Sequence, residues 1–458
     1  MTDKNGTSAR YPTFFNGETI SGTVDIKLNS NTLKHKGIKA EIHGIVEKYG
    51  TLTSTNSFLK LTSDLIPAGE IIQEKTTLDF SFRSPYLKYE SYKGTYASVK
   101  YFVKIIIDST LVNSTYDKEF AVVNPYDESI LYENLANNRV QCNICNHNCI
   151  IDNDSYGLCG TRLNNEGTLY SITYGQVSSF NTDPVEKKPF YHFHPNSLAY
   201  SVGGFGCNMS CLACQNYTIS QIQSKNMASN NILPETIVEN ALKSKSLSIA
   251  YTYNEPTMFL EYVLDTAKFA SKNKLQNLYI SNGYMTNVAL DYLLKYIDGF
   301  NIDLKFSSNK LYQEYSDASL DEILDNLIKI YESKAHLEIT NLLINNLNDS
   351  ESMIRDFINL IKDNLGPDVP IHFSRAFPYY KMDNISPTNP ESLINAYNIA
   401  KDMGLQNVYL GNMQFNQNSY CPDCGEILIK RTGYFTSDLG KIVNSECSKC
   451  GCKLNFRI

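Results

Sequence analysis

Apolar and polar residues alternate with a period of two over residues 11–124, as in Gly22-Thr23-Val24-Asp25-Ile26-Lys27-Leu28 and Val99-Lys100-Tyr101-Phe102-Val103-Lys104-Ile105. Successive side chains of a strand point to opposite faces, so the pattern predicts half-buried strands. The pairs Asn16-Gly17, Lys36-Gly37 and Lys93-Gly94 predict turns at intervals that suit antiparallel pairing, and an antiparallel β-sandwich is expected over residues 1–126. A short helical period at 129–138 and a strand-like stretch at 169–177 then predict a connector over 127–195. From residue 198 the pattern changes again. Apolar runs at 198–202, 247–251, 278–281, 300–304, 337–344, 370–373 and 408–410 are separated by segments of helical period. Residues 320–331 place Leu320, Ile323, Leu324, Leu327, Ile328 and Tyr331 on one stripe, with Ser319 as N-cap. Asn389-Pro390 opens a later helix and Gly404 closes it. Repeated strand and helix units predict a parallel sheet over 196–414, open or curled toward a barrel.

With 458 residues the chain is long enough for two or three domains, each with its own core. It contains no run of eighteen apolar residues, so no transmembrane segment is expected. The polar segment 2–10 after Met1 lacks the apolar centre of a secretory signal, which points to a cytoplasmic protein. The 41 basic and 48 acidic residues give a net charge of −7, which argues against a general nucleic-acid binder.

Twelve cysteines in a reducing compartment favour metal ligation over disulfides. They fall in three groups, at 142–159, 207–214 and 421–452, and none precedes residue 142. The middle group lies directly after a predicted strand, in Gly203-Gly204-Phe205-Gly206-Cys207-Asn208-Met209-Ser210-Cys211-Leu212-Ala213-Cys214. Three thiolates at these spacings can ligate three irons of a [4Fe-4S] cubane and leave the fourth without a protein ligand. An open iron can chelate the amino and carboxylate groups of S-adenosylmethionine (SAM). The competing reading is a zinc knot that borrows its fourth ligand from elsewhere, although structural zinc sites normally complete four ligands locally.

The triplet resembles the signature of the radical SAM superfamily. The flanking stretches, from Asp183-Pro184-Val185-Glu186-Lys187-Lys188-Pro189-Phe190-Tyr191-His192-Phe193 to Cys214-Gln215-Asn216-Tyr217, resemble the radical SAM member of the AmmeMemoRadiSam system, a relative of pyruvate formate-lyase activating enzyme. This resemblance covers about residues 136–458 and implies an α/β partial TIM barrel. It also implies that the main chain and Glu255 of Tyr253-Asn254-Glu255-Pro256 hold the SAM ammonium, that Asp303 faces ribose hydroxyls and that Lys305 faces the SAM carboxylate. Asn282 and His372 stand at two further strand ends that relatives aim at the cofactor. Glu255 ahead of Pro256 also suits a plain helix start, because an acidic residue favours a helix N-terminus. One departure is Ile280-Ser281-Asn282-Gly283, where such activating enzymes carry Asp-Thr-Asn-Gly and so supply a carboxylate to a monovalent cation. The implied chemistry is one-electron cleavage of SAM to methionine and a 5′-deoxyadenosyl radical that takes hydrogen from a substrate. It requires an electron donor such as flavodoxin or ferredoxin.

Cys142, Cys145, Cys149 and Cys159, with His147 among them, supply four thiolates within a short segment. Zinc is the default occupant, an auxiliary iron–sulfur cluster the runner-up, and metal-free thiols a third reading. Cys421, Cys424, Cys447 and Cys450 form two CxxC pairs, each followed by glycine, and predict a zinc ribbon over 415–458, with Cys452 left over.

The N-terminal strands resemble the first lobe of the arrestin-like vacuolar-sorting subunit of retromer. The resemblance lies in Phe15-Asn16-Gly17-Glu18-Thr19-Ile20-Ser21-Gly22, Lys34-His35-Lys36-Gly37-Ile38 and Tyr89-Glu90-Ser91-Tyr92-Lys93-Gly94. It implies an adaptor for a protein partner, against the plainer reading of an appended folding unit. His35 and His43 read as structural. The expected function is a radical SAM enzyme acting on an unidentified protein or small molecule. The alternatives are an activase of glycyl-radical enzymes and a non-catalytic scaffold with an idle barrel.

Overall fold

The computed structural model describes residues 13–15, 19–28, 32–48, 54–83, 91–93, 97–109, 114–123, 127–221 and 230–458. It divides into two compact units, Met1–Pro125 and Tyr126–Ile458.

In the first unit the strands Thr13–Phe15, Ser114–Val123, Ala97–Asp108, Leu33–Lys48 and Ser54–Ile71 form one sheet in that order, with Tyr92–Lys93 added to Ala97–Asp108. Ile20–Lys27 and Lys75–Phe82 form a second sheet. Both contribute to one apolar core that includes Ile20, Ile26, Phe82, Ile42, Tyr101 and Phe120. The alternation expected around Val24 is present, with exposed and more buried positions taking turns along Ile20–Lys27. Two expectations need correction. The pairing of Thr13–Phe15 with residues 121–123 is parallel, unlike the rest. Lys36-Gly37 is not a turn but lies inside Leu33–Lys48, where the register shifts at Ile38/Lys39. Gly37 has φ +153, so the glycine marks an irregular strand rather than a chain reversal. Asn16-Gly17 and Gly94 lie outside the described residues.

The second unit is built on eight strands in sequential order: β1 (Ser179–Pro184), β2 (Leu198–Gly203), β3 (Ser248–Tyr251), β4 (Gln276–Ser281), β5 (Gly299–Asp303), β6 (His336–Leu343), β7 (Ile371–Arg375) and β8 (Val408–Gly411). β1 is antiparallel to β2 and every later pair is parallel. The crossovers carry helices α1 (Pro234–Lys243), α2 (Leu260–Lys272), α3 (Asn287–Leu293), α4 (Asn309–Ser316), α5 (Leu320–Tyr331), α6 (Glu351–Asn364) and α7 (Pro390–Asp402).

The two faces of this sheet differ in chemistry. Tyr200, Val202, Ile249, Phe300, Ile339 and Phe373 belong to the large core that includes the helices. Alternate positions present Ser201, Asn301, Glu338, His372 and Tyr409 to the other face, all buried. Residues 185–197 fill that second face. Val185, Phe190 and Phe193 pack on Ala199, Ala250 and Leu278, and the amides of Tyr191 and His192 donate to Glu338 at 3.0 and 2.7 Å.

The expected helical stretch at 129–138 is instead the strand Tyr132–Asn134 followed by a single 3-10 turn, Ala136–Asn138. Asn137 and Asn138 both sit at positive φ, which turns the chain back into an antiparallel partner, Val140–Cys142. The strand-like stretch at 169–177 is two short strands, Thr168–Ser171 and Gln176–Val177. Ser319 does stand at the N-cap of α5, but its hydroxyl donates to the side-chain Oδ1 of Asn309, and that same Oδ1 accepts from the Leu320 amide at 2.6 Å. Asn389 caps α7 through the Glu391 amide as expected.

Candidate active site and metal centres

The Cys207 loop leaves the C-terminal end of β2, the end at which α/β sheets place their binding residues. Its glycines are there because other side chains already fill the space. A Cβ on Gly204 would stand 2.5 Å from the Phe259 ring, and one on Gly206, at φ +82, 2.4 Å from Thr161. Asn254 clamps the loop from the next strand end, accepting from the Gly204 amide and donating to the Gly206 carbonyl, both at 2.9 Å. Tyr253, beside it, has φ +76, an uncommon conformation for a bulky residue. Asn216 holds it by donating to its carbonyl at 2.6 Å, and Lys188 lies 4.6 Å from its ring centre.

Cys207 receives the Met209 amide at 3.4 Å and the Asn282 side-chain amide at 3.8 Å, the N–H donors that suit a sulfur carrying negative charge. Asn282 also donates to Asn208 at 2.8 Å, and Asn208 donates to the Tyr284 carbonyl at 2.8 Å. Burial pushes the Cys211 thiol up to about 11, against the pull of nearby Lys305. Burial alone would lower Lys305, but Asp303 and Cys211 together hold it well above the ordinary lysine value. Asp303 is half-exposed and lies 3.4 Å from the Lys305 ammonium. Three thiols on one tight loop, with N–H donors on one sulfur and a cation beside another, fit an anionic cluster.

Glu255 and His372 are both buried and held by protein partners. The Glu255 carboxylate is buried and accepts from the Thr257 amide and hydroxyl, the Ser281 hydroxyl at 2.8 Å and the Asn282 amide at 2.8 Å. Burial raises its pKa despite these donors. It caps the 3-10 turn Pro256–Phe259, the plain helix-start role, and it fixes Asn282 at the same time. His372 sits on the buried polar face, 2.7 Å from Glu338 and stacked on Tyr409. Glu338 also bonds His336 at 3.0 Å, and these two imidazoles hold its pKa far below the usual carboxylate range although burial opposes them. Sequence reasoning missed Asn208, Glu338 and Arg162. Asn208 stands inside the quoted cysteine motif, but nothing in its identity announces the bonds it makes.

All twelve cysteines are free thiols. The sulfurs of Cys421, Cys424, Cys447 and Cys450 all lie within 4.8 Å of one another, with Cys421 to Cys450 at 3.5 Å and Cys424 to Cys447 at 3.8 Å. Four thiolates about 2.3 Å from one zinc stand roughly 3.8 Å apart, so this quartet fits a mononuclear tetrahedral site. Cys447→Ser is expected to remove one zinc per chain, read by elemental analysis, with no change in iron. Equal zinc in the variant and the parent would exclude this quartet as a zinc site.

A family model described as the radical SAM superfamily matches residues 201–361, which begin in β2 and include all three loop cysteines. Residues 201–361 therefore belong to the radical SAM superfamily. The chain is 38% identical over 332 residues to the uncharacterized protein MJ0808 of Methanocaldococcus jannaschii, covering 72% of this chain and 99% of that protein. A second model, vacuolar protein sorting-associated protein 26, matches residues 1–165. Over 110 residues the chain is 36% identical to the mouse and human vacuolar protein sorting-associated protein 26B, covering 24% of this chain but 32% of those proteins. A solved domain of pyruvate-formate lyase-activating enzyme from Bacteroides vulgatus is similar at 20% identity and a TM-score of 0.32, over 36% of this chain and 99% of that one. The chain carries both a Vps26-like, arrestin-like N-terminal domain and a radical SAM domain. Among the described residues, no helix is long and apolar enough to cross a membrane.

Proposed function

We propose that this chain is a radical SAM enzyme whose Cys207, Cys211 and Cys214 hold a [4Fe-4S] cluster, and that it acts on an unidentified protein or small molecule. When bound, such a cluster supplies the electron that cleaves SAM to methionine and a 5′-deoxyadenosyl radical able to take a hydrogen atom from the substrate. The single observation that carries this reading is the cysteine loop at the C-terminal end of β2, tied by Asn254, Asn282 and Asn208 to the neighbouring strand ends. The sequential strand order, with helices on one face and residues 185–197 on the other, supports reading the sheet as a partial barrel.

Around the loop, Lys305 is suited to hold the SAM carboxylate and Asp303 the ribose hydroxyls, because both are charged, adjacent and incompletely buried. Asn282 offers a side-chain amide beside Cys207. Glu255 acts chiefly by fixing Asn282 and the turn that presents the main chain of 253–254 to an ammonium. His372 acts as a positioning residue through Glu338. The experiment that tests the assignment is 5′-deoxyadenosine formation by the anaerobically reconstituted, reduced chain, and a chain that forms none would overturn it.

For the Vps26-like domain an adaptor role is supported by Ser54–Ile71, an 18-residue strand that stands, among the described residues, at the end of its sheet's pairing order. Such an edge can accept a partner strand. Affinity capture should retrieve a partner with the full chain and lose it with a chain starting at residue 127. Equal retrieval by the two would leave the domain as a folding unit only.

A further inference from the structure

The four cysteines 142, 145, 149 and 159 border one recess, and Arg162 and His147 stand on its wall. The ribbon quartet shows how this fold arranges thiols for one zinc ion, with four sulfurs drawn within 4.8 Å of one another. The four sulfurs around the recess are not gathered in this way, since no three of them lie within that distance of one another. In this they match Cys207, Cys211 and Cys214 rather than the ribbon. A mononuclear ion draws all its thiolates onto one atom, whereas a cubane gives each thiolate its own iron and holds the sulfurs farther apart around a larger body.

A second observation points to an anionic occupant. Arg162 is 1% exposed; its Nη1 is bound to Glu261 and its Nη2 to the Met258 carbonyl, but its Nε has no partner. A buried guanidinium N–H without an acceptor is costly, and cluster sulfurs accept such bonds. The recess also adjoins the first site. His147 Nε2 is 2.7 Å from the Asn208 carbonyl oxygen, and Asn208 both borders the recess and follows Cys207 in the chain.

We infer that Cys142, Cys145, Cys149 and Cys159 hold a second iron–sulfur cluster, closed by four thiolates and separated from the first by His147 and Asn208. With every iron ligated by protein it has no open position for SAM. It is therefore distinct in kind from the cluster proposed at Cys207.

The test is metal analysis and electron paramagnetic resonance on the full chain after anaerobic reconstitution and dithionite reduction. Wild type is expected to hold about eight irons and one zinc, from two [4Fe-4S] clusters and the ribbon. The triple variant C207A/C211A/C214A should stay brown with about four irons, and its resonance should not respond to SAM. About four irons and two zincs in wild type, with a colourless triple variant, would overturn the inference, and the wild-type count decides even if that variant fails to fold. The complementary variant C145S/C149S should lose about four irons and keep the SAM-responsive signal. If instead C145S/C149S loses all iron and the triple variant loses none, the second cluster stands and it is the assignment at Cys207 that fails.

Discussion

Cys207→Ala, reconstituted and reduced anaerobically, should make 5′-deoxyadenosine from SAM only at the no-enzyme background. The reason lies in the number of ligands. A cluster with three protein thiolates has none to spare, and the loop that carries them is too tightly packed against Phe259 and Thr161 to bring in a substitute. Asn282→Ala offers a graded contrast, because Asn282 touches Cys207 and Asn208 without being a ligand. Changes in such outer partners typically cost about 10- to 100-fold, so this variant should retain its iron and lose activity in that range. Substantial 5′-deoxyadenosine from Cys207→Ala would sink the cluster assignment. Full activity in Asn282→Ala would remove Asn282 from the site while leaving the cysteines in place.

Much of this arrangement is legible from spacing alone. The apolar runs beginning near residues 198, 247, 278, 300, 337, 370 and 408 coincide with β2 to β8, because strands buried on both faces read as continuous apolar segments. The polar interruptions of those runs were the less obvious signal. Ser201, Asn301, Glu338 and His372 all fall on one face, and a pattern read one strand at a time does not show that they meet. The same limit explains Glu255. Its sequence context suits both a cofactor carboxylate and a helix start, and only the positions of Thr257 and Ser281 show which donors occupy it. Local rules failed where a tertiary partner competed. Ser319 is outbid as the cap of α5 by Asn309, ten residues upstream, and the apparent helix at 129–138 yields to pairing with 140–142.

The second large effect is expected at Glu261. Its carboxylate and the Arg162 guanidinium are 2% and 1% exposed, and Nη1 lies 2.8 Å from both carboxylate oxygens. The pair joins the cysteine-rich connector to α2, and Glu261 also accepts from the Ser129 hydroxyl at 3.1 Å and the Ile130 amide at 3.3 Å. Removing one member of a buried pair strands the other charge away from water. Glu261→Gln should therefore destabilise the unit by about 3–5 kcal/mol. The chain has no tryptophan, so unfolding is best followed by far-ultraviolet circular dichroism in denaturant at matched metal content. The midpoint should fall with little change in slope, as for a loss of stability rather than a more open native state. The double replacement Arg162→Met with Glu261→Leu removes both charges together and should recover much of the loss, because no unpaired ion remains. A shift below about 1 kcal/mol for Glu261→Gln, the size expected of an exposed pair, would mean that water reaches Arg162 and that the connector is not sealed against α2.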